Sequence, residues 1–290
     1  MMHVPVLLEA ALESLAIRPD GIYVDATFGG GGHAAAILAR LTSGRLIAID
    51  ADPRAAAIAA GVPDHRFSFV SANFRALPAA LDRCRVTAID GVLFDLGVSS
   101  MQLDDPGRGF AFGKAAPLDM RMNPHAGRSA YDILSTASEG ELAQIFFRYG
   151  EERASRRLAR AIVARRAAGE LPATTSDFAA FVAGVVRRPG RRERTHPATR
   201  VFQALRIAAN DELEALREGL EGAILRLRAA GRIVAISFHS LEDRIVKQTF
   251  RNDERLQVIT RRPIRPDQAE IAANRRARSA KLRAAERKVS

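Results

Sequence analysis

A chain of 290 residues is longer than one hydrophobic core usually serves, and its 47% hydrophobic content is that of a globular protein, so one large or two unequal domains are expected. The formal net charge of +11 suits a polyanionic partner such as nucleic acid, and equally serves plain solubility in an arginine-rich chain. A single cysteine excludes an internal disulfide framework and a cysteine-based zinc site. The apolar start carries Glu9 and no preceding basic region, and no run of about 18 apolar residues exists to span a membrane, so a cytoplasmic protein is expected.

The first informative segment is VDATFGGGGHAAAIL (Val24 to Leu38), an apolar run ending in Asp25, a glycine turn and an alanine-rich helix. Glycines let a ligand approach the main chain, and the first helical N–H groups point at it unpaired. Gly30, Gly32 and Ala35 fit the dinucleotide-binding fingerprint, which alone is weak and can equally close a strand onto a helix with no ligand. GRLIAIDADP (Gly44 to Pro53) follows, a second run whose Asp50 and Asp52 can accept the hydroxyls of a ribose. Two further runs, Phe67 to Phe74 and Ala88 to Ser100, come at intervals that leave room for helices. Alternation of this kind predicts an α/β fold with a parallel sheet, whose ligands lie beyond the carboxyl ends of the strands. Asp25, Asp50, Phe74 and Asp95 all fall at such ends.

After Ser100 the pattern changes. Met101 to Met122 reads as a long loop of the functional sort, in which Phe110 and Phe112 suit either base stacking or packing under the loop. Helical periodicity then takes over. Ser138 and Glu141 form a capping box before a helix with Leu142, Ile145, Phe146 and Tyr149 on one face. A second helix is predicted over Gly150 to Arg166 and a third around Phe178, Phe181, Val182 and Val185. The segment Arg187 to Arg200 places six arginines against one glutamate. Residues 125–208 are therefore expected to be an inserted helical domain with a basic loop. The sheet domain is expected over 1–124 and 209–290, resuming with a helix over Asp211 to Gly231 and a strand from Arg232 that ends near His239. From Arg251 the chain carries twelve basic and five acidic residues and reads as a basic surface arm.

Two cofactor classes fit the glycine turn. A nicotinamide-dependent oxidoreductase would continue into a second mononucleotide-binding half, which the insert interrupts. S-adenosylmethionine needs backbone at the glycine turn, a carboxylate after the second strand for the ribose, and side chains after the third and fourth strands, the last of which delivers Asp95 where the methyl would lie. A non-catalytic RNA-binding assembly protein with a relic pocket is the remaining alternative. No metal is expected, because His3, His33, His65, His125, His196 and His239 show no paired ligand spacing.

Nine blocks then bear on the choice: HVPVLLEAAL at His3, DATFGGGGH at Asp25, AIDADP at Ala48, FDLGVSS at Phe94, RGFAF at Arg108, PLDMRM at Pro117, TRVFQALRIAAN at Thr199, ISFHSLEDRIVK at Ile236 and RARSAKLR at Arg276. In this order they resemble, along nearly the whole chain, the bacterial small-subunit ribosomal RNA cytosine-N4 methyltransferases of the MraW family. The resemblance implies a Rossmann-like methyltransferase sheet with a helical substrate-recognition insert. Its implied cofactor is S-adenosylmethionine, bound by Gly31, Gly32, His33, Asp50, Phe74, Asp95 and Gln102. Its implied target is cytosine 1402 in the decoding region of 16S rRNA, within the small ribosomal subunit. No protein partner is evident. Met101 and Arg275 stand where the family commonly has proline.

The chemistry can also be read from the residues. Methylating carbon 5 of a pyrimidine needs a thiol nucleophile, and Cys84 precedes the fourth strand without a Pro-Cys turn. An exocyclic amine needs only orientation towards the methyl and an acceptor for its hydrogen. Asp95 is the acceptor on offer, assisted by Ser99 or Ser100, or else it only holds the cofactor. His239 faces the base or caps a strand. A base in folded RNA must leave its stack to react, and the arginines of insert and arm are suited to offset that cost.

Overall fold

The computed structural model describes residues 5–186 and 195–289, so His3 and arginines 187–194 of the basic loop lie outside the described residues. The chain divides into two units, breaking after Gly97 and again after Glu212. In chain order the first unit opens with α1 (Leu8–Leu15), β1 (Ile22–Asp25), α2 (Gly32–Leu38), β2 (Arg45–Asp50), α3 (Pro53–Ala59), β3 (Phe67–Ser71), α4 (Leu77–Arg83) and β4 (Ile89–Asp95). The second unit holds α5 (Ser100–Asp104), α6 (Ala130–Thr136), α7 (Glu139–Gly150), α8 (Ser155–Ala167), α9 (Thr175–Val186) and α10 (Thr199–Asn210). The first unit resumes along α11 (Glu212–Arg226), then β5 (Leu227–Ser237), α12 (Ser240–Asn252), β6 (Leu256–Val258), α13 (Gln268–Ala273) and β7 (Lys281–Arg287).

The seven strands form one sheet in the order β3-β2-β1-β4-β5-β7-β6. β1 to β5 are parallel, and β7 runs against both of its neighbours. This is an α/β Rossmann-like fold, and its strand order reverses between β1 and β4, the switch point beyond which such sheets bind ligands. Successive side chains of a strand face opposite ways. Val24, Ile47, Val92 and Phe94 accordingly pack with Leu77, Leu220 and Val246 of α4, α11 and α12. Tyr23, Leu46 and Leu93 pack on the other face with Leu12, Ile37 and Ala55 of α1, α2 and α3. Both faces being covered, β4 reads as a nearly continuous apolar run, IDGVLFD, rather than an alternating one.

Two expectations for this unit are corrected. The helix predicted to run to Gly231 ends at Arg226, and β5 begins at Leu227. The new strand enters through an irregularity: its pairing jumps from Ile89 opposite Leu227 to Gly91 opposite Arg232, with Ala230 at a φ of 60°. The basic arm is likewise no arm. β7 lies between β5 and β6, with Leu282, Ala284 and Ala285 fully buried.

The second unit begins at Val98, well before the expected residue 125. The reason is packing: Leu118 and Met120 of the long loop are buried in the helical core, and Phe110 and Phe112 pack against it. Phe112 sits 4.9 Å from the Phe202 ring, edge to face, so core packing is its role. Capping boxes at Ser129–Asp132 and Ser138–Glu141 start α6 and α7. The helix expected from Gly150 begins at Ser155, because Glu151 ends α7 in the left-handed conformation.

Candidate active site

The carboxyl edge of the sheet places three aspartates, and the register decides how differently they are solvated. Asp25 pairs with Ala48 on β2 and Leu93 on β4, each two residues short of Asp50 and Asp95. At about 3.3 Å per residue Asp25 therefore sits about 6–7 Å deeper than its neighbours. It is 1% exposed. Its Oδ1 accepts the Thr27 N–H at 3.1 Å, its buried Oδ2 makes no well-formed hydrogen bond among the described residues, and the Ala34 N–H lies close enough to favour the ionised carboxyl. Burial, against the pull of the Thr27 N–H and reinforced by Asp50, pushes its pKa up to about 7.

Asp95 ends β4 at the switch point. Its backbone N–H donates to the Thr27 hydroxyl at 2.6 Å, which ties β4 to the turn after β1. Its Oδ1 is buried and has no hydrogen-bond partner among the described residues. Burial first, then the charges of Asp25 and Glu242, hold this carboxyl well above its ordinary range. Its Oδ2 lies 3.5 Å from Nδ1 of His33. The other nitrogen of that buried ring lies 3.1 Å from the Val6 carbonyl, which can only accept, so Nε2 carries the hydrogen. Nδ1 is thereby the ring nitrogen that faces Asp95 Oδ2.

The glycine turn has internal causes as well as a ligand-facing one. A Cβ on Gly32 would fall 2.4 Å from Pro5, and one on Gly31, at a φ of 79°, would fall 2.9 Å from the Phe28 ring. Gly30 faces open space: a Cβ there would meet nothing within 4 Å. Asp50 organises the turn: Oδ2 accepts the Gly29 N–H at 2.7 Å and Oδ1 the Asp52 N–H at 2.8 Å. A carboxylate oxygen has two lone pairs, so both remain able to accept a ribose hydroxyl. Burial raises the Asp50 pKa against those two N–H groups. Asp52, expected as a second ribose acceptor, caps α3 instead, accepting the Arg54 N–H at 3.0 Å while 2% exposed. Phe74 opens a short 3-10 turn after β3 and meets Phe94 edge to face at 5.7 Å.

A model of the MraW methylase family matches residues 1–288 of this chain. The chain belongs to the MraW methylase family. That is a family of S-adenosylmethionine-dependent methyltransferases. The ribosomal RNA small subunit methyltransferase H of Thermomicrobium roseum is 51% identical over 98% of this chain and 93% of its own length. Its namesake in an Azoarcus species is 49% identical over 99% and 97%.

Within this methylase the remaining predicted site residues have clear places. His239 precedes α12 as its cap: Nδ1 accepts the Glu242 N–H at 3.4 Å, and Nε2 lies 3.1 Å from Glu242 Oε1. Both ring nitrogens thus face Glu242. Gln102 lies in the second unit, where its Oε1 accepts the Ser99 N–H at 2.9 Å and completes the capping box of α5. Cys84 follows α4, before the start of β4 and so at the opposite edge of the sheet from Asp95, and burial raises its thiol pKa. Sequence reasoning missed Thr27 and Glu242. The latter, 3% exposed, accepts the Phe238 N–H at 2.8 Å and bears on Asp95. Its signal was the spacing His239-x-x-Glu242, a capping box with histidine in place of serine.

Proposed function

We propose that this methylase transfers the methyl group of S-adenosylmethionine to the exocyclic N4 of a cytidine in the decoding region of small-subunit ribosomal RNA, at cytosine 1402. The observation that carries this reading is the partly exposed carboxyl of Asp95 at the switch point, its Oδ2 facing His33, with the one thiol of the chain at the opposite edge. That its relatives are ribosomal RNA small subunit methyltransferases supports the RNA class.

The residues fit the cofactor. Asp25 and Asp95 each bury a carboxylate oxygen that has no hydrogen-bond partner among the described residues, chemistry that suits a nearby cation or donor. Asp50 keeps lone pairs for the ribose, Gly30 opens space beside the turn, and Phe74 offers a ring after β3. When bound, the cofactor supplies an electrophilic methyl carbon on a positively charged sulfur. Gly31, Gly32 and His33 present backbone at the start of α2, and Gln102 is assigned to the same cofactor by the resemblance.

Asp95 orients the amine. Its Oδ2, on the accessible side of the carboxyl, would accept a hydrogen from N4 and so direct the nitrogen lone pair. Methylated in this way, N4 would have to lose one proton. The Asp95–His33 pair is placed to take it, since Nδ1 of His33 and Oδ2 of Asp95 face each other while Nε2 is committed to Val6. His239 acts through Glu242, whose charge helps keep the Asp95 pKa raised.

The oxidoreductase reading lacks its second half: beyond β5 the sheet continues with antiparallel β7 rather than another βαβ unit. Mass spectrometry of nucleosides from RNA treated with enzyme and cofactor is the test. N4-methylcytidine is expected. Finding 5-methylcytidine refutes the mechanism, and RNA binding without methyl transfer refutes the enzyme.

A further inference from the structure

A cavity of about 370 Å³ opens on the sheet unit, away from the aspartates, and four cations line it: Lys247 and Arg251 from α12, Arg261, and Arg283 from β7. Its apolar wall is Phe250 and Val258, and Thr260 completes the lining. No carboxylate is among its described lining residues. Arg283 is fixed in place, 8% exposed, with Nε donating to Asp243 Oδ1 at 2.7 Å while Lys281 Nζ holds Oδ2 at 3.1 Å. Asp243 is thereby saturated by two cations. Lys247, Arg251 and Arg261, all exposed, have no acidic partner among the described residues.

Cations near a helix end offset its dipole, which accounts for Arg251 in the last turn of α12. It does not account for Arg261 or Lys247, neither of which has an acidic partner among the described residues, whereas Arg283 is held by Asp243. Lys247, Arg251 and Arg261, converging on one concavity without a paired carboxylate, repel one another, and a bound anion relieves that repulsion. The volume is in the range of small-ligand sites, about 300–1,000 Å³, and exceeds what a bare oxyanion fills. Arg262 and Arg265 continue the basic line on the exposed segment beyond the cavity, which favours a polyanion over a small one.

We propose that this cavity receives one sugar-phosphate of the RNA strand beside the target nucleotide, with Lys247, Arg251 and Arg261 on the phosphate and the Phe250–Val258 wall against the sugar. The inference rests on the reading of RNA as substrate. α12 starts at the carboxyl edge of the sheet, and at about 1.5 Å per residue Lys247 and Arg251 lie about 10 and 16 Å along it. The cavity therefore engages a flanking nucleotide, not the reacting base.

The test is fluorescence anisotropy of a labelled single-stranded fragment of small-subunit RNA across a salt series, with full-length Lys247→Gln/Arg261→Gln. Each lost phosphate contact takes about 0.7 off the log–log salt slope, so two take about 1.4. Between about 50 and 200 mM salt the wild type should lose about seven-fold more affinity than the double variant. The KM for RNA should rise while kcat and the cofactor Kd hold. Arg83→Gln, exposed at the far edge of the sheet, serves as the control and should keep the wild-type slope. A double variant with the control's slope overturns the proposal. So does inorganic phosphate that saturates the cavity, followed by NMR shifts, without weakening RNA binding, since the site would then serve a free anion. A wild type that neither binds nor methylates RNA overturns the functional reading as well.

Discussion

Asp25 is the most deeply buried of the three edge carboxylates, and an asparagine in its place should make the protein increasingly more stable than the wild type as pH rises. In the unfolded chain the Asp25 carboxyl ionises near the ordinary 3.8, whereas in the folded protein burial holds the proton on until about pH 7. Between those values unfolding releases a proton, so the unfolded state gains with every unit of pH. The contribution of Asp25 to stability is complete below pH 3.8, declines through the interval and is gone above about pH 7. One unit corresponds to about 1.4 kcal/mol, so the full fall is on the order of 4 kcal/mol. From about pH 5 to pH 8 it is about 3 kcal/mol. The asparagine of Asp25→Asn would keep the oxygen that accepts the Thr27 N–H and has no proton to lose. Urea unfolding of both proteins across that pH range should therefore give a stability difference that grows in favour of Asp25→Asn and levels off above pH 7. A difference independent of pH would refute the assignment of a protonated, buried Asp25. The same physics reaches function. A cationic cofactor beside Asp25 and Asp95 favours their ionised forms, so binding near pH 6 should expel protons, read as a dependence of calorimetric enthalpy on buffer ionisation heat, and Asp25→Asn should expel fewer.

Asp95→Asn keeps a carbonyl acceptor and loses the charge, so cofactor affinity should weaken somewhat and single-turnover methylation at saturating cofactor should still slow by about 10²–10⁴-fold. Rate recovery at saturating cofactor would instead mark Asp95 as a holding residue. Cys84→Ala should stay active in the same assay, because the thiol stands at the wrong edge of the sheet and is pushed towards its neutral form. Deleting the residues after Ile271 should abolish soluble folded protein, as judged by circular dichroism, since it removes β7 from between two strands; a folded, active truncation would contradict the sheet order.

What the sequence made legible was local. Short apolar runs ending in Asp25, Asp50 and Asp95 named the strands and their carboxyl ends, and the glycines after Asp25 named the turn. What it hid was set by pairing across the chain. β7, KLRAAER, has no β-branched or aromatic residue to announce a strand, and it is one because β5 and β6 supply its hydrogen bonds from both sides. The end of α11 was hidden for a related reason. Leu220, Ala223, Ile224 and Leu227 continue a helical spacing, so the period persists while Leu227 already pairs with Ile89.

The same distinction separates the three aspartates, which look alike as strand-ending acids. Register sinks Asp25 below the edge and leaves Asp50 to accept two turn N–H groups, and it stations Asp95 against His33. The His33 ring is oriented by the carbonyl of Val6, a partner 27 residues earlier that no spacing rule connects to it. A glycine likewise reads as a ligand's approach route until its neighbours are known. At Gly32 the atom that forbids a side chain belongs to Pro5, so the turn is held open by the protein's own N-terminal segment packing against it. Residue type at a strand end thus gives the class of chemistry. Which oxygen stays free to meet the substrate is decided by contacts made from elsewhere in the chain.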